Sequence, residues 1–338
     1  MIAFYVHHHG SGHLHRSVTV ARALGAKAIG LSSLPAPAEW PGRWTVLPGD
    51  ADGADELHDD VTAGSTLHWV PRNHRGLRDR MARISSLLRD EDVRLLVCDV
   101  SVEVALLARL HGVPVAIVAQ PGHRVDRAHR TAYDLAEVII APWPRRPAPD
   151  WPPSWLDKTV HVGALSRFDR RPVAPESAVR KVLLLWGTGG LTVSSAQLRA
   201  AAAATPDWSW DVAGLGDDTG CRTPNLRHHG WVADPWPLLG DAGVVITHAG
   251  QNALAEVAAA RRAAVVIPQR RPFGEQHATA AALIRARLGV VVPSWPEPRR
   301  WPALFARARA RGGDWKTWSS GDGATRAAAV LRELAGGR

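Results

Sequence analysis

Cysteine is almost missing from this chain. Cys98 and Cys221 are the only two in 338 residues, too few for a disulfide framework and outside any C-x-x-C spacing that would suggest a metal or redox centre. Nowhere do 18 apolar residues run together, which excludes a membrane-spanning helix. The apolar start Met1–Val6 is too short for the core of a secretion signal, so a cytoplasmic protein is expected, with peripheral membrane contact left open. Lysine is also scarce: of 41 basic side chains only Lys27, Lys158, Lys181 and Lys316 are lysines. The arginines behind the net charge of +9 are scattered among Ala, Gly, Pro and Asp. They form none of the stripes or arms that grip nucleic acid, and a nucleic-acid partner is not expected. What is present is ordinary globular composition, 46% hydrophobic and 22% charged, at a length that favours two domains of roughly 100–200 residues each.

Apolar runs of strand length recur, each followed by a helical pattern, as in a parallel sheet with crossover helices. The first half predicts strands at 2–6, 27–31, 44–47, 95–98, 115–118 and 138–141, with helices at 18–24, 76–88 and 102–110. After the proline-rich stretch 142–153 and a Pro- and Arg-containing interval, the alternation restarts. Strands are expected at 182–186, 210–213, 243–247, 264–267 and 290–292, and helices at 193–203, 254–260 and 278–285. The reading is α/β, with two doubly wound Rossmann-like domains facing across a cleft: 1–165, a linker at 166–179, and 180–338. A final helix at 324–335 is placed where it could return to the first domain.

Three segments carry chemistry. The first, His7-His-His-Gly-Ser-Gly-His-Leu-His-Arg16, joins a strand to a helix. Its glycines permit a tight turn, the helix start favours an anion, and a histidine there could act as general base. A histidine metal cluster and plain surface histidines are the rival readings. The second segment ends the strand 95–98 in Asp99, which either orients an imidazole or caps the next helix, a task Ser101 could take instead. In the third, Gly230 to Glu256, a strand delivers His248-Ala-Gly250 to a helix N-terminus. Such a junction binds phosphate through backbone amides and a His donor. Glu256 could accept both hydroxyls of a ribose, and Trp231 could stack on a base or sit in the core. The loop Gly187-Thr188-Gly189-Gly190 reads equally as phosphate-facing or as a plain turn, and it lacks the P-loop lysine.

This combination resembles the inverting nucleotide-sugar glycosyltransferases of the GT-B fold, the families of the peptidoglycan lipid-linked N-acetylglucosaminyltransferase and of antibiotic and plant glycosyltransferases. The matching string is His248-Ala-Gly-Gln-Asn-Ala-Leu-Ala-Glu256, then Pro268 and Glu275-Gln276; Ala249 and Asn252-Ala253 depart from the usual residues. The resemblance implies a second domain that binds the donor. His248 with the amides of Gly250, Gln251 and Asn252 would hold its diphosphate, Glu256 the ribose, and Trp231 with Val232 the base. Glu275 and Gln276 would hold the sugar, with Gly12, Gly187, Thr188 and Gly189 also near the donor. Gly12-His13 matches the family's Gly-His before the first helix, which implies His13 as base with Asp99 behind it.

The activity so implied is inverting, metal-independent transfer of a sugar from a UDP- or dTDP-sugar to a hydroxyl or amine of a small-molecule or natural-product acceptor, with no cofactor. Asp60, His68, Trp69 and His123 lie in loops where an acceptor would be read. A GT-B UDP-sugar hydrolase shares the glycine-histidine loop and would use water instead. A non-catalytic nucleotide-sugar binding protein is the alternative of a different class.

Overall fold

The computed structural model describes residues 1–8, 10–53, 59–146, 148, 150–173, 175, 179–187, 193–214, 223–312 and 314–336. The chain divides into two units, Met1–Leu165 with Asp322–Arg338, and Ser166–Gly321.

In the first unit the chain runs β1 (Ile2–Tyr5), α1 (Ser11–Leu24), β2 (Ala28–Ser32), β3 (Arg43–Val46), α2 (Arg75–Asp90), β4 (Leu95–Asp99), α3 (Val102–Leu110), β5 (Val115–Val118), α4 (Arg127–Leu135), β6 (Val138–Ala141), α5 (Pro153–Asp157) and β7 (Thr159–His161). Its seven strands pair in the order β3-β2-β1-β4-β5-β6-β7, all parallel. Every residue of β1, β2, β4 and β6 is buried. That is why these strands read as unbroken apolar runs: helices cover both faces of a parallel sheet. Side chains start the helices, with Ser101 accepting from Val104 N at α3 and Asp126 from His129 N at α4.

The second unit continues with β8 (Lys181–Leu185), α6 (Ser195–Ala203), β9 (Ser209–Ala213), β10 (Leu226–Gly230), α7 (Trp236–Asp241), β11 (Val244–Thr247), α8 (Gln251–Ala260), β12 (Ala264–Val266), α9 (Glu275–Arg285), β13 (Val290–Val291) and α10 (Trp301–Arg311). These strands form a parallel sheet in the order β10-β9-β8-β11-β12-β13. Strand β10, sequence LRHHG, escapes hydropathy reading because it is a polar, half-buried edge. Tryptophan builds the core: Trp210, Trp301 and Phe305 pack together with ring centres 5.5–5.7 Å apart.

One open placement is decided and one domain expectation is corrected. The last helix, α11 (Gly323–Gly336), lies with the first unit, the return that the sequence left open. Its Ala327 and Leu331 are buried with Phe4, Val20 and Leu165, and Arg326 reaches His161 O at 2.8 Å. The start of the interval 166–179, read as a linker, is anchored in the second unit. Phe168 is buried against Trp236, ring centres 5.1 Å apart, and Arg171 pairs with Asp234 at 2.7 Å. One aromatic side chain thus outweighs the prolines and arginines that suggested a spacer.

Candidate functional site

In the first unit, Gly10 at φ 80° turns the chain straight from β1 into α1. The helix begins seven residues before the expected Val18, because Ser11 to Ser17 are already helical. Gly12, expected beside the donor, is therefore a residue of the first helical turn. His13 and Arg16 fall three apart on one face of α1, and β4 lies next to β1, bringing Asp99 to that face.

His13 Nδ1 is 3.1 Å from Asp99 Oδ2. Arg16 Nη2 reaches Asp99 Oδ1 and Oδ2 at 2.9 and 2.8 Å, and its Nε reaches Oδ2 at 3.2 Å. Arg16 Nη2 also lies 3.2 Å from His13 Nδ1. Nδ1 faces the anionic Asp99 oxygen as well as this donor, and a proton on Nδ1 donated to the carboxylate is the pairing that the short contact and the lowered Asp99 carboxyl support. That tautomer leaves the lone pair on Nε2, the form a general base requires. Burial alone would raise the Asp99 carboxyl, but the Arg16 guanidinium and His13 beside it hold it at about 2. Ser101 caps α3, which leaves Asp99 to this pairing. Between them Val100 adopts φ 87°, a conformation that costs a β-branched residue about 1–3 kcal/mol. Arg16 was missed at the sequence level as a functional residue, although its spacing from His13 on a helix was a usable signal.

A cavity of about 330 Å³ adjoins this centre, with His7, His68, Trp69, Val100 and Glu103 on its wall. The His7 ring centre is 5.6 Å from that of His13. Of the residues expected to read an acceptor, His68 and Trp69 line this cavity, whereas Asp60 and His123 do not. Asp60 accepts from Gly64 N at 3.0 Å in a turn, and His123 pairs with Asp150 at 3.2 Å on the exposed surface.

Beside the cavity, His68, Asp126 and His129 bring ligand-type atoms within 4.8 Å of one another. Hydrogen bonding gives this cluster another role. Arg124, buried and able only to donate, approaches His129 Nε2 at 3.1 Å, so the proton sits on Nδ1 and goes to Asp126 Oδ2 at 2.5 Å. A protonated nitrogen is a donor, not a metal ligand. Burial, the neighbouring His68 and the Arg124 guanidinium together push His129 down to about 4, against the pull of Asp126.

Because a free histidine titrates near 6.5, the unfolded chain takes up a proton that folded His129 refuses. Stability from this group is complete above about pH 6.5 and falls as the pH drops towards 4, by roughly 3 kcal/mol at about 1.4 kcal/mol per pH unit. Urea unfolding of the wild type and of His129→Asn at several pH values should show this slope in the first and its reduction in the second. Asp126, held at about 2 chiefly by bonds from His129 that outweigh burial, keeps its own contribution throughout that window.

In the second unit the chemistry gathers at the carboxyl ends of β8, β10 and β11. His248 Nδ1 accepts the N–H of Gly250 at 2.9 Å, so its proton resides on Nε2. Burial, with Arg271 nearby, lowers it to about 4; at neutral pH it is an uncharged N–H donor. Gly250 precedes α8 with no side-chain cap, leaving the amides of Gln251 and Asn252 in an uncapped first turn, a natural anion site. Gly187 follows β8 next to the His248 ring, where an added Cβ would lie 3.6 Å from Nε2. Thr188 and Gly189 lie outside the described residues. Trp231 is 59% exposed after β10, the one exposed side chain among the 15 tryptophans, and Val232 beside it is half-buried.

Glu256 is buried, and its Oε1 accepts from Arg167 Nε at 2.9 Å. Burial raises its carboxyl and Arg167 opposes the rise. Arg167 went unnoticed in the sequence because it lies in the stretch read as a linker. Gln276 is buried with its Oε1 on the N–H of Gln269 at 2.9 Å, so it first shapes the loop after β12. Glu275 opens α9.

Gly250 has an ordinary φ of −74°, yet a Cβ there would meet His248 Cε1 and Nδ1 at 2.3 and 2.6 Å. Gly250→Ala should therefore expel the ring and weaken nucleoside diphosphate binding by about tenfold or more, measured by calorimetry. Unchanged affinity would remove His248 from the anion site.

Residues 233–294 match the glycosyltransferase family 28 C-terminal domain. No curated protein sequence matches the chain. Among solved structures the chain is similar to the glycotransferase of kitacinnamycin, at 18% identity and TM-score 0.72 with 98% of each chain covered. It is similar to UGT2 of Phytolacca americana in complex with UDP-2-fluoro-glucose and pterostilbene, at 15% identity and TM-score 0.66 with 99% of each chain covered. It is also similar to MurG of Acinetobacter baumannii, at 17% identity and TM-score 0.57, covering 100% of this chain and 99% of that one. The chain therefore has the GT-B fold of these glycosyltransferases, and its residues 233–294 match the family 28 C-terminal domain.

Proposed function

We propose that this protein transfers a sugar, with inversion and without an obligatory metal, from a nucleoside diphosphate sugar to a hydroxyl or amine of a small-molecule acceptor. The observation that carries the reading is the pairing of His13 Nδ1 with the buried Asp99 carboxylate at 3.1 Å, which supports a lone pair on Nε2. His13 takes the acceptor's proton as the acceptor attacks the anomeric carbon in one displacement, and Asp99 balances the imidazolium that forms. The leaving diphosphate is met by the His248 Nε2–H and the first amides of α8, positioned donors that stabilise charge as it develops. Glu256 Oε2 accepts ribose hydroxyls while Oε1 stays with Arg167, Trp231 stacks on the base, and Gln276 offers its amide N–H to the sugar. A cavity with room for more than a water molecule favours transfer over hydrolysis.

The test is a mass-spectrometric screen of UDP- and dTDP-sugars, with and without pooled phenol, alcohol and amine acceptors. Acceptor-dependent nucleotide release with a glycosylated product is the expected result. Equal release in both arms with only free sugar formed establishes hydrolysis, and binding without any release makes the protein a sensor.

A further inference from the structure

In a chain with nine excess positive charges, the described residues of the first unit's cavity wall include two carboxylates, Asp50 and Glu103, and no lysine or arginine. Asp50 is neutralised: Arg80, 1% exposed, brings Nη2 within 3.1 Å of it. Glu103 is different. It is 9% exposed, and its oxygens accept from the backbone N–H of His68 at 2.7 Å, that of Trp69 at 3.0 Å and the Ser101 hydroxyl at 2.9 Å. All three donors are uncharged. The first turn of α3 eases the charge only in part, since a helix start contributes about 1 kcal/mol. Buried carboxylates are as a rule matched by a cation, and among the described residues Glu103 has none.

We propose that the missing cation arrives with the acceptor: the acceptor is a compact, ring-containing molecule bearing a basic amine, whose ammonium pairs with Glu103 beside the Trp69 ring. This inference deepens the glycosyltransferase reading and rests on it. An aromatic face next to a carboxylate is a favourable setting for an ammonium, and about 330 Å³ sits at the small end of ligand pockets, which run from about 300 to 1,000 Å³. The same wall repels carboxylates and phosphates, so a phospholipid-linked acceptor is disfavoured. The ammonium is an anchor, and the nucleophile is a second, neutral group of the molecule within reach of His13.

The test uses three probes on one scaffold, tyramine, 4-(2-hydroxyethyl)phenol and 4-hydroxyphenylacetate, titrated calorimetrically into the full chain near neutral pH without donor. Tyramine should bind at least about tenfold more tightly than the neutral probe, the expected worth of a hydrogen bond to a charged group, and the carboxylate should bind least. Glu103→Gln, which keeps an oxygen for the two backbone donors, should bring the three within about twofold of one another, with its thermal unfolding checked against the wild type. Weak or absent tyramine binding, a preference for the carboxylate, or an order unchanged in Glu103→Gln overturns the proposal. UDP and dTDP are titrated in parallel into the same samples. Failure of the probes with nucleotide binding intact refutes the amine acceptor alone, whereas loss of both refutes the donor reading.

Discussion

His13→Ala is expected to lower kcat about a thousandfold, within the 10²–10⁴ range of general base catalysis, while UDP or dTDP affinity stays within about twofold of wild type. The asymmetry follows from placement. His13 belongs to the first unit, where it pairs with Asp99 and is proposed to take the acceptor's proton. The groups proposed to hold the diphosphate, His248 and the start of α8, belong to the second unit. Its side chain keeps some solvent exposure, 17%, so truncation leaves no sealed cavity and folding should be nearly unaffected. Steady-state kinetics with calorimetric nucleotide titration decides the matter, and a variant retaining full turnover would remove His13 from the mechanism.

The second large effect is expected from Asp99→Asn, and it falls on stability and activity together. Arg16 is 5% exposed and directs three hydrogen bonds at this carboxylate. Taking away the negative charge strands a buried guanidinium, a loss that typically costs about 3–5 kcal/mol. Asn also replaces the acceptor facing His13 Nδ1 by an amide that can present N–H, which favours the tautomer whose lone pair is on the wrong nitrogen. Adding Arg16→Met removes the stranded cation and should restore much of the stability but not the turnover. Denaturant unfolding and kcat measured on the single and double variants separate the two roles. If stability and activity recover together, Asp99 acts only as the partner of Arg16.

What was legible in the sequence follows from how far apart the interacting residues lie. The buried strands announced themselves because a parallel sheet covered on both faces needs continuous apolar runs, and 95–98 and 244–247 carry them. His248 to Glu256 was legible because the junction, the helix and their side chains all lie within nine residues. Asp99 and Arg16, by contrast, are 83 positions apart, as Arg167 and Glu256 are 89 apart; no local pattern encodes such pairs. Glu103 sits in the first turn of α3, where an acid suits the helix dipole, so its position alone carries no sign of a ligand. Its neighbours across the cavity come from the turn at 68–69, where side-chain contacts leave no periodic trace.

The sequence by itself determined the two-unit α/β plan, the strand-to-helix junctions and the residue types at them, since hydrophobic periodicity and turn chemistry act over a few residues. Tertiary structure decided what those residues become. Parallel pairing of β1 with β4 turns Arg16, Asp99 and His13 into one hydrogen-bonded centre. Packing of Phe168 assigns the start of the interval read as a linker to the second unit, and packing of α11 decides the return of the C-terminal helix to the first. The reason is physical: proton positions, ion pairs and buried charges are set by atoms within about 3–4 Å in space, and chain distance carries no record of them.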